Sequence, residues 1–249
     1  MRWLAISVLA LLMAAACGGS SPTSPSSDQL SEQLVTEHYT FHYAPGDSVD
    51  SAWQEAFHDW AVAQLGVTPP RITYNKYRDR AHMSALTGHS TNGFAELPLN
   101  TLHTISRREA HEAVHVIAAS WGFPVALFVE GLAVAHVTNP PAGDFVPRWS
   151  GTPVHEAARQ LRVSGQLIPI ASIAETAAFR TRNELVVYPE SGSLVRFLID
   201  RDGVDAMRRL FGSMPSEAPL ATVRAAFQSV YGYSLDEAEA RWLQFLDGR

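Results

Sequence analysis

Between His38 and Tyr43 the chain alternates polar and apolar residues (HYTFHY), the period of two that marks a strand with one buried face. From Ser48 to Leu65 the period lengthens, with Trp53, Phe57, Trp60 and Ala61 at helical spacing, and RITYNKY at 71–77 returns to strand. The segment GFAELPLNTLHTI, 93–105, predicts an edge strand ahead of a helix. In that helix Ala110, Ala113, Val114, Ile117 and Ala118 form an apolar stripe; Ser106 and Glu109 read as a capping box that starts it, and Gly122 and Pro124 end it. Pro124 and the run Asn139-Pro140-Pro141 bracket one more apolar helix.

Beyond Pro141 the pattern turns helical throughout. Thr152 and Pro153 predict a helix through Leu161 that stops near Gly165, and Pro189 to Asp202 predicts a second, closed by Gly203. Two further helices follow, the last opened by a Ser234/Glu237 capping box. Val195, Leu198, Ile199, Met207, Leu210, Phe211, Phe227, Trp242 and Phe245 suit the core of a helical lobe over one wall of a cleft. The expectation is an α+β domain over 35–249, with a small mixed sheet plus two helices in 35–138 and a mainly helical lobe in 139–249. No repeat of 20–50 residues is visible.

The first residues carry different information. Residues 1–16, with Arg2 and an apolar run from Trp3 to Ala16, predict a secretory signal peptide too short for a comfortable membrane span. Residues 17–34 begin at the sole cysteine of the chain, Cys17, and continue through GGSSPTSPSS, a flexible tether that cannot build a core. MAAAC resembles a bacterial lipobox, which implies a diacylated Cys17 anchoring the chain to a membrane. Gly18 after it, by similarity to Gram-negative lipoproteins, implies the outer membrane. An ordinary signal peptide with an incidental Cys17 is the alternative. One cysteine excludes an intrachain disulfide, and a net charge of −6 argues against nucleic acid as a partner.

Candidate chemistry concentrates at HEAVH, 111–115. Residues four apart share a helix face, so His111 and His115 can aim ring nitrogens at one ion while Glu112, about 100° round the helix, reaches a water instead. Glu130 is the sole acid in its apolar helix, and the expectation is that a divalent cation rather than the distant arginines neutralises it. Two histidines, one carboxylate and a water make the open tetrahedron of a catalytic zinc site.

These residues, with FVEGLAVAH around Glu130, resemble the gluzincin metallopeptidases, and in detail the small peptidase-MA-like domains of bacterial envelope proteins. The likeness spans roughly 35–249, is densest at 105–138, and includes YPESGSLVRFLIDRDGVDAMRRLFGSM and the stretch after it. It implies a zincin-like fold, Zn²⁺ held by His111, His115 and Glu130, and Glu112 as general base on a zinc-bound water, hydrolysing peptide bonds of a peptide or protein substrate at the cell envelope. It also implies that the 93–105 strand binds extended substrate through its main chain. Tyr188 is the first candidate to donate a hydrogen bond to the oxyanion, and His155 the second. Two positions depart from better-known members: Val134 stands where thermolysin-like enzymes carry an acid supporting a ligand histidine, and GFAEL only loosely matches the G-x-M-E-N strand of aminopeptidases. The alternative reading is a catalytically inactive zinc-binding lipoprotein that serves as scaffold or assembly factor; a third is a partner-binding module without metal. His136 is expected behind the ligands or on the surface, and His38, His42 and His58 on strand or helix surfaces rather than as ligands. Substrate specificity and oligomeric state leave no mark in the sequence.

Overall fold

The computed structural model describes residues 29–138 and 145–248. The signal, Cys17 and the first part of the tether lie outside them, as does the Asn139-Pro140-Pro141 stop. No helix among the described residues is long and apolar enough to cross a membrane.

The N-terminal part is built on a five-stranded mixed sheet. In chain order its elements are β1 (Glu32–Val35), β2 (Tyr39–Tyr43), α1 (Ser51–Leu65), β3 (Ile72–Lys76), α2 (Arg80–Thr87), β4 (Gly93–Glu96), β5 (Thr101–Thr104), α3 (His111–Ile117) and α4 (Ala126–Val134). The strand order is β1-β2-β3-β5-β4, with β2, β3 and β5 parallel and the two outer strands antiparallel to their neighbours. The alternation in β2 is real: Tyr39 and Phe41 are fully buried while Thr40 and His42 are only partly so. They meet Ile72, Tyr74 and Leu102 from the neighbouring strands and Trp53, Phe57, Ala61 and Leu65 from α1 in one apolar core. Asp50 caps α1 by accepting from the Trp53 N–H, and Gly66 ends it in the left-handed conformation that favours glycine.

The remainder is helical apart from a short hairpin, β6 (Arg148–Trp149) and β7 (Thr152–Pro153). Its helices are α5 (Val154–Val163), α6 (Thr176–Arg180), α7 (Glu184–Asp202), α8 (Val204–Phe211), α9 (Leu220–Tyr231) and α10 (Leu235–Asp247). Leu198, Met207, Leu210, Phe227 and Trp242 are buried as expected. Ser234 caps α10 by accepting from the Glu237 N–H at 3.1 Å.

Two predicted helix starts are corrected. The helix expected from Pro189 begins at Glu184, capped by Asn183, and runs through the proline. Proline deprives the Leu185 carbonyl of its helical donor, but Leu185 is 67% exposed and water can serve it there. The helix expected from a Ser106/Glu109 box begins at His111 with no cap at Ala110; Glu109 instead supplies the acceptor itself.

Helix α4 crosses α7 closely through two glycines. A Cβ on Gly131 would lie 2.6 Å from Val195 Cγ2, and one on Gly192 would lie 2.3 Å from Val134 Cγ1. Only bare backbone lets the helices approach so closely, which fixes the Glu130-bearing helix on the long helix α7.

Candidate metal centre

α3 opens the site. Glu109 Oε1 accepts from the His111 and Glu112 backbone N–H groups at 3.0 and 3.3 Å, which satisfies two donors that a helix start leaves free. Its other oxygen takes the Thr104 hydroxyl at 2.7 Å, tying the helix to β5. Gln54 of α1 grips the Glu109 main chain on both sides, donating to its carbonyl at 2.8 Å and accepting from its N–H at 3.0 Å. The acid three residues after Ser106 was visible in the sequence; its partners were not.

From that anchored start, His111 and His115 bring their Nε2 atoms within 3.2 Å of each other. Glu130 Oε2, from α4, lies 3.0 Å from His111 Nε2 and 3.6 Å from His115 Nε2. A tetrahedral ion with zinc-like bond lengths separates its donors by about 3.3–3.4 Å. The triangle therefore fits one such ion with little movement. Among the described residues a second group, His38, His58 and Asp59, also lies close enough to hold a metal.

Glu130 is 4% exposed, and burial alone would raise its pKa. Hydrogen bonds to His111 and His115 outweigh burial and hold the carboxyl well below the usual range. The expectation that the arginines stay distant is corrected here. Arg180 Nη2, at the end of α6, is 2.6 Å from Glu130 Oε1, the oxygen facing away from the histidines. Separation along the chain hid this pair. α6 is brought to α4 by the buried Phe179 and by Thr176, whose hydroxyl accepts from the Ala126 N–H at 3.0 Å.

Glu112 faces the same cleft from α3. Burial pushes its carboxyl up to about 8, with His111 opposing and the Glu109 and Glu130 charges adding to the rise. β4 passes directly over it: a Cβ on Gly93 would stand 2.9 Å from Glu112 Cγ and 3.2 Å from Oε1. Phe94 of the same strand stacks on His103 at 4.3 Å, and His103 in turn meets the Tyr77 hydroxyl at 2.8 Å. The cleft between β4 and the helices has a volume of about 570 Å³ and is lined by Glu112, the three metal-ligand candidates, Arg180 and Tyr188.

Tyr188 reaches the site from within α7. Its ring lies 5.9 Å from that of His111, and its hydroxyl is 3.4 Å from Arg180 Nη1. Burial and the Glu130 charge raise its pKa, so it stays a neutral donor. His155, the second candidate, is elsewhere: it meets the Ser193 hydroxyl at 2.9 Å and borders a separate cavity with Arg159 and Asp200. Its place in the sequence after α3 and α4 carried no information about which side of α5 it occupies.

Two other expectations change, and Val134 finds its place. His136 is 1% exposed, donates from Nδ1 to the Leu132 carbonyl at 2.8 Å and lies against Trp60; burial pushes it down to about 4, so it is a neutral core residue. His58 is 4% exposed rather than on the surface. Val134 lies in the α4–α7 seam against Gly192, where an acid would be buried between helices.

No protein-family model matches this chain, and no curated protein matches it.

Proposed function

We propose that this chain is a zinc-dependent peptidase of zincin-like fold, hydrolysing peptide bonds at the cell envelope, with Cys17 as its lipid anchor. The single observation that carries the reading is the triangle of His111, His115 and Glu130 donors at 3.0–3.6 Å, with Glu112 beside it and β4 alongside. A divalent ion held by these three would supply Lewis acidity, lowering the pKa of a water and polarising a carbonyl.

The chain's own groups then have defined tasks. Glu112 accepts a proton from the attacking water and delivers it to the leaving amine. The Tyr188 hydroxyl and the Arg180 guanidinium, 3.4 Å apart on the cleft wall, donate to the oxyanion as it develops. β4, the last strand of the sheet, offers its outer edge to an extended peptide, which positions a carbonyl over Glu112.

A second reading has one observation in its favour: Arg180 already neutralises Glu130, so the buried carboxylate is satisfied without an ion. In that reading the protein is the metal-free partner-binding module, a catalytically inactive scaffold. Chelation followed by zinc restoration, assayed on an unstructured protein substrate, separates the two. A peptidase loses cleavage in chelator and regains it with zinc; a scaffold cleaves in neither state.

A further inference from the structure

A second group of ligand-type side chains lies on the far side of α1, where the chain enters β2. Glu55, His58 and Asp59 are spaced i, i+3, i+4 and so share one side of the helix. His38, one residue before β2, leans over them. Its Nδ1 is 2.6 Å from Glu55 Oε2 and 3.8 Å from Asp59 Oδ1, and the His58 Nδ1 is 3.7 Å from that same Asp59 oxygen. The two imidazoles face each other at 3.9 Å.

The unexplained group is His58. It is 4% exposed, and its Nδ1 has no hydrogen-bond partner. A buried imidazole nitrogen without a partner is destabilising, and native cores rarely leave one so. Asp59 at 3.7 Å is too far to accept a hydrogen bond from it. That spacing is close to the separation of two donors around one ion, about 3.3–3.4 Å for zinc.

We propose that His38, His58 and Asp59, with Glu55 beside them, form a second divalent-cation site that pins the start of β2 to α1. Mixed imidazole and carboxylate donors select a borderline ion such as Zn²⁺ over Mg²⁺ or Ca²⁺. Two nearly parallel rings cannot both point a lone pair at one position. Capture therefore turns the more exposed ring, His38, whose side chain is 30% exposed, away from its bond to Glu55. Glu55 keeps its contacts to the Thr36 hydroxyl and the His38 N–H, so the carboxylate stays in place as the ring moves. The site lies apart from the cleft and does not depend on peptidase activity.

The test is metal counting and Zn²⁺ titration calorimetry on the full chain, the two histidines of the cleft having been removed together (His111→Ala with His115→Ala). The protein should still bind one equivalent of Zn²⁺, and Asp59→Asn or His38→Gln in that background should weaken it by roughly 10-fold or more. Both are substitutions of solvent-accessible side chains, so loss of fold does not confuse the result. No binding in the cleft-minus protein, or binding that survives both substitutions, overturns the proposal. A wild type that binds one ion, which the cleft-minus protein retains, supports this site and counts against the proposed peptidase.

Discussion

Arg180 and Glu130 form a 2.6 Å ion pair in which the guanidinium takes the one carboxylate oxygen that His111 and His115 leave free. The pair holds Glu130 with a single oxygen presented to the histidines, the arrangement a monodentate ligand needs.

Removing that cation should therefore loosen the site. Arg180→Gln is expected to lower zinc affinity by about 10–100-fold, the usual effect of losing a partner of a metal ligand. Because Glu130 keeps both histidines and Arg180 is half exposed, the loss of stability in chelator should be modest, about 1–2 kcal/mol. Competition with a chromogenic chelator reads the first quantity and urea unfolding the second; unchanged affinity would deny Arg180 this role.

Val134 offers a sharper contrast. Val134→Asp puts a carboxylate into the α4–α7 seam, where Gly192 offers it no partner. The expected outcome is a loss of about 3 kcal/mol or more and no gain in zinc affinity. Thermal unfolding with and without zinc checks it, and a folded variant with tighter metal binding would refute the packing argument.

The same seam predicts a rescue. Gly192→Ala places its Cβ 2.3 Å from Val134 Cγ1 and should cost about 1–3 kcal/mol by overpacking. Val134→Ala removes the Cγ1 contact but keeps a Cβ 2.7 Å from the new one, so the double variant should lose less than the two single losses combined without recovering fully. A double-mutant cycle measures the coupling, and strict additivity would mean that the helices shift apart instead.

The pH dependence should carry the mark of Glu190. This residue of α7 is fully buried; burial first and the Glu239 charge next push its carboxyl up to about 8, against the lowering effect of the Ile168 N–H. The folded-state pKa is raised, so the unfolded state loses its proton first as pH increases. Stability from this group is complete below about 4.5, declines between about 4.5 and 8, and levels off above. Glu190→Gln should match the wild type near pH 5 and exceed it near pH 8, by a few kcal/mol at most. Urea midpoints at the two pH values test this; an equal difference at both would place the titration elsewhere.

Periodicity carried much of the fold and part of the site. The alternation of Tyr39 and Phe41, the aromatic spacing of Trp53 and Phe57, and the four-residue step from His111 to His115 are local patterns, and each survives into the structure. What the chain hid is long-range. Arg180 looks like any surface arginine until α6 docks on α4, and Ser106 looks like a cap because nothing local announces that Gln54 and Thr104 hold Glu109 instead. Pro189 carries a stop signal that tertiary packing overrides, and the burial of His58 and His136 depends on the sheet and on Trp60, not on their neighbours in sequence.

In the proposed reaction Glu112 acts on a water beside an ion held by His111, His115 and Glu130. This role is tested most directly by measuring bound zinc and kcat/KM together for the wild type and Glu112→Gln on an unstructured protein substrate. Zinc content should be unchanged by the substitution and kcat/KM reduced by at least ~10²-fold. Cleavage that persists in Glu112→Gln with zinc still bound would contradict it.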